Sequence, residues 1–537
     1  MCGLCGAVRI GARGADAPPI DRAEIARMNA AMALRGPDGE GLWISADGAV
    51  ALGHRRLAIL DLSDAGLQPM PSRDGRFHIL LNGEIFNFRA LRSDLESEGE
   101  TFESVSDTEV LLALWRRLGP AMLPRLRGMY ALAIWDQVER SLFLARDPFG
   151  IKPLYLAETN GVLRFASQVK ALEASGAVPL DVDELAIAEF LLWGSVQEPR
   201  TIRRAIRALP ANHYLFVRDG RVEEPRPHPQ GRGDDSLSQP TSAVAALEDS
   251  VRHHLVSDVP VAIFLSGGLD SCVLAALACR LAPANSDVKP EPPVTFTLTF
   301  DRLIGTPNDE GPLAAQVARA LGTRHVERRI GREDFLPLWD GALAAMDQPS
   351  IDGFNTLLVS RAAHEQGIKV ALSGLGGDEL CGSYPSFRDV PKMAALARLP
   401  GARLAAPLLR AIGKRKEAAA LASDGHLASA YAIRRALFLP NEIADLLGVQ
   451  AAREALREIA PHQQARRSLE AWPDTTKPRD GWETVHRLES SLYMRNQLLR
   501  DADWASMACS LELRVPFVDP QLESNFAALG FEPARSG

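Results

Sequence analysis

The chain has little cysteine, six residues in 537, and that excludes the disulfide framework of small secreted domains. It has no apolar run of membrane-spanning length. Its opening, Met1-Cys-Gly-Leu-Cys-Gly6, shows no charged segment followed by an apolar one, so no secretory leader is read and a cytoplasmic protein is expected. It has no excess of positive charge. A formal net charge of −8 argues against a nucleic-acid binder, and Arg203-Arg204 and Arg466-Arg467 read as solvated faces. It has no Gly-Lys-Ser/Thr after any glycine turn, which excludes a Walker A loop. Cys2 and Cys5 form a C-x-x-C with no second pair and no histidine pair, so a zinc site is not supported. What remains is long and 46% hydrophobic, enough for two or three domains with sizeable cores.

The most informative stretch present is Val259-Pro-Val-Ala-Ile-Phe-Leu-Ser-Gly-Gly-Leu-Asp-Ser271. Its apolar half suits a strand buried on both faces of a parallel sheet, and Ser271 to Cys279 reads as a helix. Ser266, Gly267 and Gly268 lie between them. Glycines let a ligand approach the backbone, and a helix start offers free N–H groups to an anion. The turn reads as a phosphate cradle, with Asp270 able to hold magnesium; a plain βα turn with a capping serine fits it equally well in isolation. The helix before it spaces Val244, Leu247, Val251 and Leu255 on one apolar face, and His253 and His254 read as surface or packing residues. Beyond it, β-rich runs at 294–300 and 323–330 and at 368–372 alternate with helical segments, which implies a parallel sheet covered on both faces. Ser373-Gly-Leu-Gly-Gly-Asp-Glu379 also follows a strand. Ligands bind beyond the carboxyl ends of such strands, so both glycine loops are expected at one site, Asp270 and Asp378 sharing a magnesium ion on ATP.

The N-terminal half carries a different chemistry. With Met1 removed, Cys2 would present a thiol beside an α-amine that titrates near neutrality and can serve as its base. Leu81-Asn-Gly-Glu84 brings an amide, a glycine N–H and a carboxylate together. Asn82 and Gly83 could stabilise an oxyanion. Glu84 and Asp107 could hold the α-amine of glutamine, and Arg56 its α-carboxylate. Arg35-Gly-Pro-Asp38 reads as a turn, and Ser106-Asp-Thr-Glu109 as a helix cap. The stretch from Asp219 to Pro240, rich in proline, glycine and charge, reads as a linker.

With Arg146-Asp-Pro-Phe-Gly-Ile-Lys-Pro-Leu-Tyr155, Phe165-Ala-Ser-Gln-Val-Lys-Ala-Leu172 and the late Leu499–Asp519 signature, these ordered segments resemble the glutamine-hydrolysing asparagine synthetases. The resemblance implies an α+β N-terminal-nucleophile αββα sandwich at 2–215 and a linker at 216–240. It implies an α/β parallel-sheet ATP-pyrophosphatase domain with additional helices at 241–537, shortened at its C-terminus. In that frame Cys2 is the nucleophile, Asn82 and Gly83 form the oxyanion hole, and Arg56, Glu84 and Asp107 bind glutamine. ATP falls to Phe264, Ser266, Gly267, Gly268, Asp270, Ser271, Leu298, Ser373 and Gly374, and magnesium to Asp270 and Asp378. Partners are glutamine, ATP and aspartate or another carboxylate, with no nucleic acid and no membrane; a homodimer stays open. Glutamine releases ammonia at Cys2, ATP adenylates the acceptor carboxylate, and ammonia crosses inside the protein to displace AMP.

Three departures stand out, two that put free aspartate as the acceptor in question and one that bears on the ATP phosphates. Leu375 stands where many relatives carry a glutamate thought to deprotonate ammonia, and Asp347-Gln-Pro replaces the commoner Asp-Glu-Pro. Only 18 residues follow Asp519, and the last lysine is Lys477, whereas the resembling enzymes place a phosphate-binding lysine later. A weak synthetase is therefore expected unless Arg495, Arg500 or Arg514 substitutes. Amidation of a sugar acid or peptide, a cyclising ligase and a non-catalytic nucleotide binder are the competing readings; an intact Cys2 with Asn82 and Asp107 argues against the cyclising one.

Overall fold

A computed structural model describes residues 2–11, 19–229, 242–281, 292–470, 478 and 480–529. Strand Cys2–Arg9 buries both faces, Leu4 and Val8 on one side and Cys5 and Ala7 on the other, as the period of two requires. It can do so because it is central in an antiparallel sheet. The order there is Ile206–Ala208, Tyr155–Thr159, Val162–Ala166, Cys2–Arg9, Val50–Arg56, Gly39–Ile44. A second antiparallel sheet runs Arg221–Val222, His213–Arg218, Ser141–Arg146, Gly128–Asp136, Phe77–Ile85, Met70–Pro71. The sheets stack through Leu4, Val50 and Leu52 against Leu80, Ala133 and Leu144. Helices Arg22–Ala31 and Val169–Ala174 cover the first sheet with Ile25, Met28 and Leu172. Helices Phe88–Ser97 and Asp107–Leu118 cover the second with Leu91, Leu95, Leu111 and Leu114. The unit is an αββα sandwich, with Cys2 at the start of a central strand.

The second sheet crosses the boundary expected at 215. Strand His213–Arg218 spans it, and Arg226–Pro227 pairs back onto the same strand. The first unit therefore reaches at least Pro227, and the later part of the expected linker, 230–241, lies outside the described residues.

The second unit is built on five parallel strands in the order Arg324–Ile330, Val294–Phe300, Val261–Phe264, Val370–Leu372, Glu512–Arg514. Helices Ala243–His254, Leu269–Leu281, Gly311–Leu321 and Pro520–Ala528 pack on one face; Phe354–His364 and Arg500–Met507 pack on the other. In the first of these Leu247 and Val251 are buried but Val244 stays exposed, so the apolar face is shorter than its spacing suggests. His254 packs at a tilt against Phe86 and bonds Ser250 O, a packing role. Helices between Pro385 and Glu470 join Gly481–Leu488 and Trp193 in a separate core.

Buried ion pairs lock the two units together. Arg127 of the first unit donates to Asp519 Oδ2 from Nε at 3.0 Å and from Nη2 at 2.6 Å, while its Nη1 reaches Asp249 at 2.6 Å. Burial would push the Asp519 carboxyl up, but Arg127 outweighs it and holds it below the usual range. Asp519 also caps helix Pro520–Ala528 through Gln521 N. Asp519→Ala is expected to cost about 3–5 kcal/mol, the scale of unpairing a buried charge, read as a lowered denaturation midpoint. The folded-state pKa is depressed, so the wild-type advantage is present above the unfolded carboxyl range and fades as pH falls through the folded value. A shift below about 1 kcal/mol would show that the pair adds no more than an exposed one.

Candidate active site

Register sets Arg56 directly opposite Cys2. By the period of two, Cys2, His54 and Arg56 share the inner face with Leu4 and Leu52, and Asn82 and Glu84 share it with Leu80. The expected glutamine residues thus meet in the cleft between the sheets. Cys2 N donates to Asn82 Oδ1 at 3.1 Å. Asn82 Nδ2 donates to Ser167 Oγ at 3.3 Å, and Ser167 Oγ also accepts from Leu4 N at 3.1 Å. Burial pushes the Cys2 thiol up, opposed by the Leu57 N–H and the Arg56 charge, so a thiolate does not form unaided. His54 is no base for it: burial drives its imidazole down to about 3, and its Nε2 is tied to Leu81 O at 3.1 Å.

Gly83 has a reason to be glycine. Its φ is +151°, and a Cβ would lie 2.0 Å from Met129 O on the neighbouring strand. Gly83→Ala is expected to displace the Asn82–Gly83 peptide and cost glutamine hydrolysis roughly a hundredfold, measured as glutamate release. An unchanged rate would mean that this N–H is not part of the site.

Asp107, in the first turn of its helix, accepts from Ile85 N at 2.9 Å and so stands beside Glu84. Burial lifts Asp107 to about 6. Burial, then Glu512 and Asp107, push Glu84 well above the carboxylate range, and its buried Oε2 has no hydrogen-bond partner among the described residues. Arg514, paired with Glu512, offsets part of this crowding, and the orphaned Glu84 oxygen beside Asp107 suits an ammonium group. Arg56 is fixed by the carbonyls of Ser63 at 2.7 Å, Leu60 at 3.3 Å and Asp61.

Sequence reasoning missed how the second unit reaches this cleft. Arg35, read only as part of a turn, donates from Nε to Cys2 O at 3.1 Å and from both Nη atoms to Asp503 at 2.7 and 3.0 Å. Asp347 accepts from Val169 N and Lys170 N, and Gln348 joins the Tyr155 hydroxyl to Ile202 N. The Asp347-Gln-Pro departure therefore faces the first unit. Arg35, Arg146, Tyr155, Ser167, Asp347 and Asp503 surround a gap of about 10 Å³, room for no more than one water-sized molecule, beside the Asn82–Ser167 contact.

The two glycine loops meet at the other end of the second unit. Ser266 and Ser271 brace the first: their Oγ atoms are 3.0 Å apart, Ser266 N donates to Ser271 Oγ, and Ser271 Oγ donates to Gly268 O. Gly267 adopts φ +80°, and Ser266 and Gly268 are exposed. The second loop lies against it. A Cβ on Gly374 would fall 3.1 Å from Ser271 N, and one on Gly377 2.4 Å from Asp270 Cγ. Burial, then Asp378, raise the Asp270 carboxyl to about 6. Two carboxylates that repel one another fit a magnesium ion that takes its other ligands from phosphate and water; among the described residues no group of three or more metal-ligating side chains occurs. Half-buried Phe264 and Leu298 lie on adjacent strands, Phe264 being the partner of Phe296.

Leu375 packs among Phe86, Met129 and Phe149 of the first unit and Met494 and Val518 of the second, an apolar seal between units. The proposed cationic substitutes are engaged elsewhere: Arg495 with Phe149 O, Arg500 with Val196 O, Arg514 with Glu512 and the carbonyls of His254 and Val256. Lys477 and the residues after Leu529 lie outside the described residues.

A sandwich with a cysteine starting its central strand, joined to a parallel sheet with two glycine loops, defines a two-site amidotransferase class. The comparisons narrow it. Residues 1–228 match the glutamine amidotransferase domain family and residues 243–531 match asparagine synthase. Asparagine synthetase [glutamine-hydrolyzing] 1 of Bacillus subtilis is 31% identical over 528 residues, 96% of this chain and 79% of that one. A Mycobacterium bovis relative, 34% identical over 556 residues (97% of this chain, 81% of that one), carries the same family name provisionally. Asparagine synthetase B of Escherichia coli is 32% identical over 374 residues, 68% of this chain and 62% of that one. The chain belongs to the glutamine-hydrolysing asparagine synthetase family.

Proposed function

We propose that the protein hydrolyses glutamine at Cys2 and uses the ammonia, with ATP split to AMP and pyrophosphate, to amidate a carboxylate. The observation that carries this reading is the convergence of Cys2, Asn82, Gly83, Glu84, Asp107 and Arg56 between the two sheets, with Arg35 joining Cys2 O to Asp503 of the nucleotide unit. The Cys2 thiol attacks the glutamine amide carbon, its proton passing to the α-amine of the mature N-terminus. Asn82 Nδ2 and Gly83 N–H take the developing oxyanion, Glu84 and Asp107 the substrate ammonium, and Arg56 its carboxylate. Ammonia leaves, and water later frees glutamate from the thioester. The gap between Ser167 and Asp503 has room for one ammonia molecule out of bulk water.

In the second unit, Ser266, Gly267, Gly268, Ser271, Ser373 and Gly374 would cradle the nucleotide, and Phe264 and Leu298 would flank its base. Asp270 and Asp378 would hold magnesium, which neutralises phosphate charge when bound. The acceptor carboxylate attacks the α-phosphate, pyrophosphate departs, and ammonia then displaces AMP. Leu375 cannot take the ammonia proton.

Aspartate is the family acceptor, so asparagine is the first product to seek. The test is incubation with amide-¹⁵N glutamine, ATP and magnesium, with and without aspartate, followed by mass spectrometry. ¹⁵N-labelled amide, AMP and glutamate in equal amounts are expected. Glutamate release without AMP under any acceptor, or ADP in place of AMP, would refute the ligase half.

A further inference from the structure

Loop 57–63 of the first unit makes the cage for Arg56, because the carbonyls that fix the guanidinium are those of Leu60, Asp61 and Ser63. The backbone there is not in an ordinary conformation. Asp61 has φ +52°, in the left-handed region. A residue with a side chain stays there only where its surroundings hold it. In that conformation Asp61 O accepts from Arg56, and Asp61 N–H is left for a partner outside the cage. One hold comes from inside the first unit: the Asp61 carboxylate accepts from Ser63 N at 3.1 Å and from Val105 N at 3.0 Å.

The other holds come from the second unit. Asp258 N donates to Ile59 O at 3.0 Å, and Asp258 Oδ2 accepts from Asp61 N at 2.9 Å. One residue thus grips the loop on both sides of Leu60. Asp258 is exposed and adds nothing to the core, so these two bonds are what it contributes. Val370 packs against Leu57 and Ile59, with Val259 and Val261 beside them. Lys369 Nζ donates to Asp38 Oδ2 at 2.8 Å. That same oxygen accepts from Ala58 N at 2.8 Å, and Asp38 N donates to Arg56 O at 2.9 Å.

The fold gives these holds a common origin. Asp258 lies just before strand Val261–Phe264, and Lys369 lies just before strand Val370–Leu372. The two strands are adjacent and parallel. Their starts hold the loop that cages Arg56, and their ends lead to Ser266 and Ser373 of the glycine loops.

We propose that Asp258 is a positioning residue for glutamine: from the nucleotide unit it holds loop 57–63 in the shape that presents Arg56 to the substrate α-carboxylate, with Lys369 as a second hold through Asp38. The inference rests on the glutaminase half of the proposed function. Asp258 touches no substrate and moves no proton; it acts through Asp61 on Arg56. Without Oδ2, the left-handed Asp61 loses the acceptor of its N–H. Its peptide is then free to turn, its carbonyl leaves Arg56, and the guanidinium loses a fixed direction. Grip on the carboxylate weakens, whereas Cys2, Asn82 and Gly83 keep their own contacts.

The test is steady-state glutamate release by the full chain as wild type, Asp258→Ala, Asp258→Asn and Lys369→Met, with melting temperatures as the fold control. Asp258→Ala should raise the glutamine KM about tenfold, the factor that goes with one hydrogen bond to a charged acceptor. Its kcat should stay within about twofold of wild type, the signature of lost binding rather than lost chemistry. Asp258→Asn keeps an amide oxygen for Asp61 N and should recover most of the KM. Lys369→Met should move KM in the same direction, and it stands in where Asp258→Ala does not fold. An unchanged KM in Asp258→Ala, or in Lys369→Met where it stands in, overturns the inference. So does a fall in kcat and melting temperature shared by Asp258→Ala and Asp258→Asn, which would make Asp258 a brace between the units and nothing more. A wild type that releases no glutamate removes the glutaminase reading and this inference with it.

Discussion

Cys2→Ala will abolish glutamine hydrolysis while ammonia-dependent synthesis continues. The variant removes only Sγ. The contacts that organise the cleft are backbone contacts of Cys2: its N–H to Asn82 Oδ1 and its carbonyl to Arg35 Nε. Both survive, so the bidentate Arg35–Asp503 bond that joins the units survives too. Loss of a nucleophile that acts with its base as one device is worth on the order of 10⁴-fold or more. Ammonia supplied as an ammonium salt bypasses the cleft, and product formation should stay within about twofold of wild type, because distant sites act independently. Glutamate release and ¹⁵N incorporation from each nitrogen source measure the two halves. A folded variant that loses both would show that the cleft and the nucleotide loops are one site.

Much of this arrangement is legible in the chain because the signals are local. The apolar run ending at Leu265 and broken by Ser266-Gly-Gly becomes a strand, a loop and a helix whose first turn holds Asp270. Leu81-Asn-Gly-Glu84 becomes a strand end with alternate residues in the cleft. What is not legible is pairing between distant segments. Nothing near Arg35 announces Asp503, 468 residues away. Gln348 is a single letter different from a glutamate, yet its amide bridges Tyr155 and Ile202 across the interface, a role set by topology. The expected boundary at 215 fell short because Arg221–Val222 and Arg226–Pro227 are two-residue edge strands in which only Val222 packs against the core; they are too short to leave a hydrophobic period to read.

Gly377→Ala should silence the nucleotide unit and spare the glutamine cleft, the mirror image of Cys2→Ala. Gly377 begins the short helix Gly377–Cys381 and does not adopt a positive φ, whereas Gly376 does at +93°. Alanine is therefore conformationally acceptable at 377, and helix propensity favours it by roughly 1 kcal/mol. The cost is contact alone: a new Cβ would stand 2.4 Å from Asp270 Cγ and 2.7 Å from Asp270 Oδ2. These distances are far below van der Waals contact, so the Asp270 carboxyl must swing away from Asp378 or the second loop must lift. Either movement separates the two carboxylates expected to share magnesium. A displacement of about 1 Å at a reacting centre costs on the order of a hundredfold in rate. ATP–pyrophosphate exchange with the acceptor should fall by that factor, while glutamate release and the denaturation midpoint stay near wild type. Asp270→Asn serves as the companion, since it removes the charge without adding bulk; the two variants should lose exchange together. Normal exchange in Gly377→Ala would mean that Asp270 works from a position other than the one it holds against the second glycine loop.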